Sequence, residues 1–260
     1  MKALEMFSLT GKTALVTGGA GLYGRQIVEA LAEAGAKTFT ASRNLERLKE
    51  FTAGLSGQGY DVTAWRVDLA DEKSVLDLRD KLMEQSGRLD ILVNNAVLRP
   101  MKGYEDNAAN FALSMQVNAT GLFIITRAVG DIMARQKSGS IINISSIMGV
   151  IGPDPTNYEG TQMQAWYPDY FFHKGGMVNF TRFIASRYGA YGVRCNCVIP
   201  GGLFTPQMPE KFVKNYSRRT CLGRLGNETD LKGIIVFLAS DASAYVTGAN
   251  IPVDGGYTSK

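Results

Sequence analysis

Short apolar runs alternate with longer amphipathic patterns along most of the chain. Thr13-Ala14-Leu15-Val16-Thr17 carries no polar alternation, as a strand buried on both faces requires. After a glycine-rich turn, Ile27, Ala30, Leu31 and Ala34 recur at helical spacing, and Gly35 closes the pattern. The same reading predicts strands at 37–41, 60–67, 89–94, 140–145, 193–198 and 250–253. Helices are predicted at about 44–56, 71–86, 106–137 (as a pair), 170–190 and 228–239. Alternation of this kind predicts an α/β fold, a doubly wound parallel sheet covered by helices on both faces. No linker or compositional break divides the 260 residues and no repeat recurs, so a single domain is expected.

Composition narrows the chemistry. With 45% hydrophobic and 20% charged residues the chain is not disordered. No uninterrupted apolar run approaches the ~20 residues of a membrane span, so no membrane partner is expected. The opening Met1-Lys2-Ala3-Leu4-Glu5-Met6-Phe7 has neither an apolar segment nor a cleavage site, which makes the cytoplasm the expected location. The net charge of +4 comes from scattered residues, so nucleic acid is not an expected partner. Three cysteines and one histidine leave little from which to build a zinc site, and no metal is expected. Cys195 and Cys197 alternate with apolar neighbours and read as core filling. His173 has no Gly-x-Ser-x-Gly elbow to serve, and packing or an interface is its expected role.

Ligands of doubly wound sheets bind beyond the carboxyl ends of the strands, so those ends carry the functional reading. The first strand runs into Thr17-Gly18-Gly19-Ala20-Gly21-Leu22-Tyr23-Gly24 and then opens a helix. Gly18 can turn sharply, Gly21 admits a pyrophosphate close to the backbone, and Gly24 lets the helix pack on the strand. The second strand ends Ser42-Arg43-Asn44 without the acid that an NAD site usually places there. Ser42 leaves room and Arg43 suits a 2′-phosphate, which favours NADP and leaves NAD possible; Arg43 also fits a solvated helix start. Asp68, followed by Leu69, is placed to meet an adenine amino group or to cap the next helix, a role that Asp71 fits better. Asn118 lies inside a helical stretch, where Asn is unfavourable unless a kink or a functional contact explains it. Tyr170 and Lys174 stand four apart on one helix, and an ammonium beside a phenol stabilises the phenolate.

Asn94-Asn95-Ala96, Asn118, Ser146, Tyr170 with Lys174, and Pro200-Gly201 with Thr205 follow in this order, and the chain resembles the short-chain dehydrogenase/reductase family nearly end to end. The resemblance implies a Rossmann fold and hydride exchange between a nicotinamide cofactor and an alcohol or carbonyl. It implies Tyr170 as the proton donor and acceptor, Ser146 as the holder of the substrate oxygen, and Lys174 as the tuner of Tyr170 and holder of the nicotinamide ribose. Asn118 would hold a water in the proton relay. Gly18, Gly21, Leu22, Tyr23, Asn94, Ala96, Pro200, Gly201 and Thr205 would border the cofactor.

Two departures from the family pattern stand out. Leu22 occupies the place of the second glycine in the usual single-domain motif, so an altered pyrophosphate loop is expected. Ser146 and Tyr170 are also unusually far apart, which places an insertion at about 150–168 between two catalytic residues. Tyr158, Glu159, Thr161 and Gln162 within it are candidates for contact with a polyhydroxylated ligand, Tyr158 foremost; a lengthened subunit contact is the alternative. A further segment at about 203–226 is expected to cover the substrate. Arg99, Lys102, Lys214, Arg218 and Arg219 are expected to rim the same mouth, as an anion site or as a solvated basic face. The resulting expectation is an oxidoreductase acting on a sugar, polyol or sugar-acid-like small molecule. The rivals are a 3-oxoacyl thioester reductase and a non-catalytic nucleotide-binding regulator. Leu122, Phe123, Val129, Phe180 and Phe183 make apolar helix faces, which in the family build homo-oligomers, a dimer or a homotetramer.

Overall fold

The computed structural model describes residues 2–260. Seven parallel strands form one sheet: β1 (Thr13–Thr17), β2 (Lys37–Ser42), β3 (Val62–Arg66), β4 (Ile91–Asn94), β5 (Gly139–Ile144), β6 (Val193–Pro200) and β7 (Asn250–Val253). Their order is β3-β2-β1-β4-β5-β6-β7. The chain reverses its direction of winding between β1 and β4, and a crevice opens there at the carboxyl ends.

Successive strand side chains point to opposite faces, and the cores divide accordingly. Ala14 and Val16 join one cluster with Ile27 and Leu31 of α1 (Leu22–Glu33), Leu48 of α2 (Leu45–Ser56) and Ile235 of α8 (Lys232–Ala239). Leu15 joins the other, with Leu78 of α3 (Glu72–Ser86), Val129 of α5 (Leu122–Gln136) and Ile184 of α6 (Pro168–Tyr188). Cys195 and Cys197 are buried on β6. Asp71 caps α3 by accepting the Lys73 N–H at 3.0 Å.

The predicted helix pair at 106–137 is one continuous run. A single π turn, Gln116–Gly121, joins α4 (Ala108–Met115) to α5. The run is long and apolar enough to cross a membrane by length and composition, yet α5 packs against β4, β5 and β6. The last predicted helix begins at Lys232, because Arg224 and Asn227 tie Asp230 into a turn before it. One helix is not in the sequence reading at all: α7 (Glu210–Arg219), inside the expected covering segment.

Asp90 anchors the loop before β4. It is buried, accepts the Thr13 N–H at 2.9 Å, and receives the Arg88 guanidinium through both nitrogens. Arg88 is half exposed, so solvent screens the ion pair and the buried hydrogen bonds carry most of its worth. Asp90→Ala should lower the unfolding free energy by about 2 kcal/mol, read from urea denaturation. A loss below about 0.5 kcal/mol would show that the anchor is dispensable.

Candidate active site

A cavity of about 1210 Å³ lies over the switch point. Its floor at the β1 end is the glycine-rich turn. Gly18 adopts φ +72°, and a Cβ there would stand 2.9 Å from Ala96 Cα. A side chain on Gly24 would collide with the Gly18 carbonyl, so both positions need glycine for close approach. Gly21 is the N-cap of α1, with no side chain between the helix N-terminus and the cavity. Leu22 is 64% exposed in the wall, so the altered loop presents an apolar side chain to the cavity. This open cradle, with its unpaired helix N–H groups, fits a dinucleotide pyrophosphate.

At the end of β2, Ser42, Arg43, Asn44 and Arg47 line the cavity without a carboxylate. Leu69, Ala96, Pro200 and Gly201 border it further along, and the Tyr23 hydroxyl donates to the Gly201 carbonyl at 2.7 Å. At the far end Ser146, Tyr170 and Lys174 meet. Lys174 Nζ donates to the Ile144 carbonyl at 2.6 Å, and Ser146 Oγ accepts the Met148 N–H at 3.2 Å. Arg99 lies over the phenol, its guanidinium carbon 4.1 Å from the Tyr170 ring centre.

The electrostatics follow from this crowding. Burial works to raise the Tyr170 phenol, but Lys174, Arg99 and the Ser146 hydroxyl together bring it below its ordinary value. Burial also lowers the Lys174 ammonium, while the facing phenolate opposes that fall. His173 touches the edge of the Tyr170 ring, 5.3 Å between centres. Burial first, then Lys174 and Arg99, push it down to about 3, so it stays neutral.

Four expected cofactor or catalytic residues stand outside the wall. Asn94 is turned inward, Nδ2 donating to Thr126 Oγ1 at 3.0 Å and to Asn143 Oδ1 at 2.9 Å. The wall takes Asn95 instead, whose Nδ2 holds the Thr17 and Gly18 carbonyls. Asp68 accepts the Ala70 N–H at 3.0 Å with one carboxylate oxygen, closing a local turn. Thr205 lies between the lining residues Leu203 and Met208 without lining the cavity itself. Asn118 sits in the π turn and clamps Leu98 through both backbone groups, accepting its N–H at 2.8 Å and donating to its carbonyl at 2.7 Å. It therefore acts here through the wall residues Leu98 and Val117.

The insertion folds over the mouth. Tyr158, Gln162, Met163, Gln164 and Tyr167 line the cavity, whereas Glu159 and Thr161 do not. Gln164 reaches across to the Lys102 carbonyl at 2.5 Å and joins two rims. Burial pushes the Tyr158 phenol up to about 12. Of the basic rim residues, Arg99 and Lys102 line the cavity; Lys214, Arg218 and Arg219 do not, and Arg219 pairs with Asp154 at 2.9 Å. Sequence reasoning missed Asn95, Asn44, Arg47 and Asp169, and the α7 residues Phe212 and Tyr216, which stand one turn apart in the wall. Tyr216 accepts the Gly202 N–H at 2.6 Å, and its spacing from Phe212 was the available helical signal.

The family model described as enoyl-(acyl carrier protein) reductase matches residues 21–258. The chain belongs to the short-chain dehydrogenase/reductase family. It is 34% identical over 265 residues to an L-rhamnose 1-dehydrogenase (NAD(P)(+)) of Sphingomonas sp., with 98% of each chain covered. It is 32% identical over 256 residues to a 3-oxoacyl-[acyl-carrier-protein] reductase of Thermotoga maritima, covering 95% of this chain and 98% of that one. A gluconate 5-dehydrogenase from Burkholderia cenocepacia, solved in complex with NADP and tartrate, superposes with a TM-score of 0.89 at 29% identity over the whole of both chains. As a family member the chain is a dehydrogenase/reductase that binds NAD(P) and acts on alcohol or carbonyl groups of a small molecule.

His173 gives the family member an acid sensitivity. Its folded value of about 3 lies below the ordinary 6.5, so on acidification the unfolded chain takes up the proton first. Its contribution is fully present above about pH 6.5 and is lost as the pH falls towards 3, at up to about 1.4 kcal/mol per unit. His173→Leu should flatten the fall of the urea midpoint between about pH 6.5 and 4. An unchanged slope would rule this residue out as the source.

Proposed function

We propose that this family member is an NADP-preferring oxidoreductase acting on a hydroxylated, carbohydrate-like substrate: a sugar, polyol or sugar acid. One observation carries the reading. The Tyr170 phenol, flanked by Lys174, Ser146 and Arg99, lies in the same cavity as the glycine cradle and the polar side chains of the insertion.

A bound nicotinamide supplies or accepts the hydride. Ser146 directs its hydroxyl at the substrate oxygen and fixes it beside Tyr170. Tyr170 gives that oxygen a proton in reduction and removes it in oxidation, and its lowered affinity for the proton eases its passage to the phenolate. Lys174 stabilises the phenolate left behind. Asn118 keeps the Leu98 backbone in place beneath the site. Tyr170→Phe should lower kcat at least about 10³-fold and leave the dissociation constant of NADPH within about twofold. Turnover near the parent level would sink the mechanism.

The carbohydrate assignment draws on Tyr158, Gln162, Gln164 and Tyr167, hydrogen-bonding side chains that the insertion brings to the wall. The L-rhamnose and gluconate dehydrogenases among its relatives lend it support. The NADP preference draws on Ser42, Arg43 and Arg47 and on a related enzyme solved with NADP. Arg43→Ala should weaken NADP binding about tenfold or more and change NAD binding by less than about twofold, measured by fluorescence titration. Equal losses for both cofactors would count against a 2′-phosphate contact. Phe123, Phe172 and Phe183 stand exposed on α5 and α6 and support a homo-oligomer, whereas Leu122 and Val129 face the core.

A further inference from the structure

The catalytic end of the cavity carries charge that the chain itself leaves unanswered. Six ionisable lysine, arginine and acidic residues line the cavity: Arg43, Arg47, Arg99, Lys102, Lys174 and Asp169. Arg43 and Arg47 belong to the nucleotide end and Lys174 is held by the Ile144 carbonyl. That leaves Arg99, over the Tyr170 ring, and Lys102 and Asp169 elsewhere in the wall. Among the described residues Arg99 forms no ion pair with any carboxylate, and neither does Lys102. The guanidinium sits over the phenol ring and gives one N–H to the phenol oxygen, and its further N–H groups remain to offer a ligand.

Asp169 presents the opposite problem. It is 1% exposed, and its Oδ2 has no hydrogen-bond partner. It stands in the first turn of α6, where the helix favours an acid, yet it caps nothing; Asp71 at α3 shows what a capping bond looks like. A buried carboxylate without donors is costly, and in a cavity wall the hydroxyls of a ligand can supply them. Arg99 asks for an anion and Asp169 asks for hydrogen-bond donors, and both line the cavity that holds the phenol.

We infer that Arg99 and Asp169 form a clamp for an acidic polyol, the guanidinium taking its carboxylate or phosphate and the Asp169 carboxylate taking its hydroxyls. The clamp rests on the oxidoreductase reading and selects, from sugar, polyol and sugar acid, the anionic member. It has a second consequence. Tyr170 is faced by Lys174 and His173 from α6, by Arg99 from the segment after β4, by Ser146 from the segment after β5 and by Tyr23 from α1. An anion seated on Arg99 cancels one of the two cations acting on the phenol. Substrate binding therefore raises the proton affinity of Tyr170, which favours its service as the acid in carbonyl reduction.

The test titrates Tyr170 directly by phenolate absorbance, as the difference between the protein and its Tyr170→Phe variant. The enzyme is saturated with NADPH, so that an alcohol probe is not turned over. D-gluconate, sorbitol 6-phosphate and neutral sorbitol are added in turn. The expected result is an upward shift of the Tyr170 midpoint with one or both anions and none with sorbitol; the responding anion identifies carboxylate or phosphate. Arg99→Lys should keep the response, and Arg99→Gln should raise the midpoint without any anion and then ignore all three probes. Asp169→Asn should weaken the responding anion about tenfold and leave acetate unchanged. No shift with either anion, or an equal shift in Arg99→Gln, overturns the clamp; unchanged affinity in Asp169→Asn overturns its hydroxyl half. An active enzyme whose phenol ignores anions would refute only the clamp. A clamp that responds in a protein without turnover would refute only the oxidoreductase reading.

Discussion

The buried ammonium of Lys174 is the constraint on which the site depends. The residue is 3% exposed, deep enough that its charge must be met by the protein. Nζ meets the Ile144 carbonyl at the end of β5, and the Lys174 carbonyl receives the Ser145 hydroxyl at 2.8 Å. These two bonds lock α6 to the strand end that carries Ser146, and so fix the serine and the tyrosine relative to each other. The ammonium also faces the Tyr170 ring, 5.8 Å from Nζ to its centre. A charge that is awkward to bury thus becomes the reason the helix cannot slide and the phenol cannot keep its ordinary proton affinity.

What the sequence made legible follows the physics of each element. β1 and β4 are fully buried, and their short apolar runs, ended by a glycine turn or by Asn, are too short for helices and read as strands. Tyr170 and Lys174 were legible because four residues on a helix is a distance that needs no structure to know. Asn94 was misread for an equally local reason. Asn94 and Asn95 are adjacent amides at a strand end, and one residue of register decides which enters the Thr126–Asn143 network and which holds the turn. Asn118 was recognised as anomalous inside a helix, but not the π turn that explains it.

The covering elements were the least legible. α7 is mostly polar, with Lys211, Lys214, Arg218 and Arg219 on its solvent side, and only Phe212 and Tyr216 buried. A helix that rests two aromatic rings on a small satellite core gives a faint periodic signal. Its position depends on single long-range bonds: Tyr216 to the Gly202 N–H, and Asn215 to the Glu159 carbonyl at 3.0 Å. Gln164 and the Lys102 carbonyl make a similar strut across the mouth. The scaffold is built from burial patterns that repeat, whereas the mouth is built from particular pairs, and pairs far apart in sequence leave no pattern to read.

Tyr170 and His173 stand three residues apart on one helix, in contact and in the same field, yet their chemistry diverges. Burial resists charging either one. The added fields of Lys174 and Arg99 then split them, because a cation nearby favours a phenolate and opposes an imidazolium. His173 is driven to about 3 and loses its use as an acid or base near neutrality, while Tyr170 is brought down into service. In a chain with a single histidine this is more than economy of composition. Two cations around a buried site disable the usual proton carrier and create another from a residue that elsewhere would be inert. The same two cations differ in how they are held: Lys174 is locked to the strand end, and Arg99, over the phenol, pairs with no carboxylate among the described residues. The fixed charge sets the level of the phenol, and the unpaired one is where a bound anion can change it.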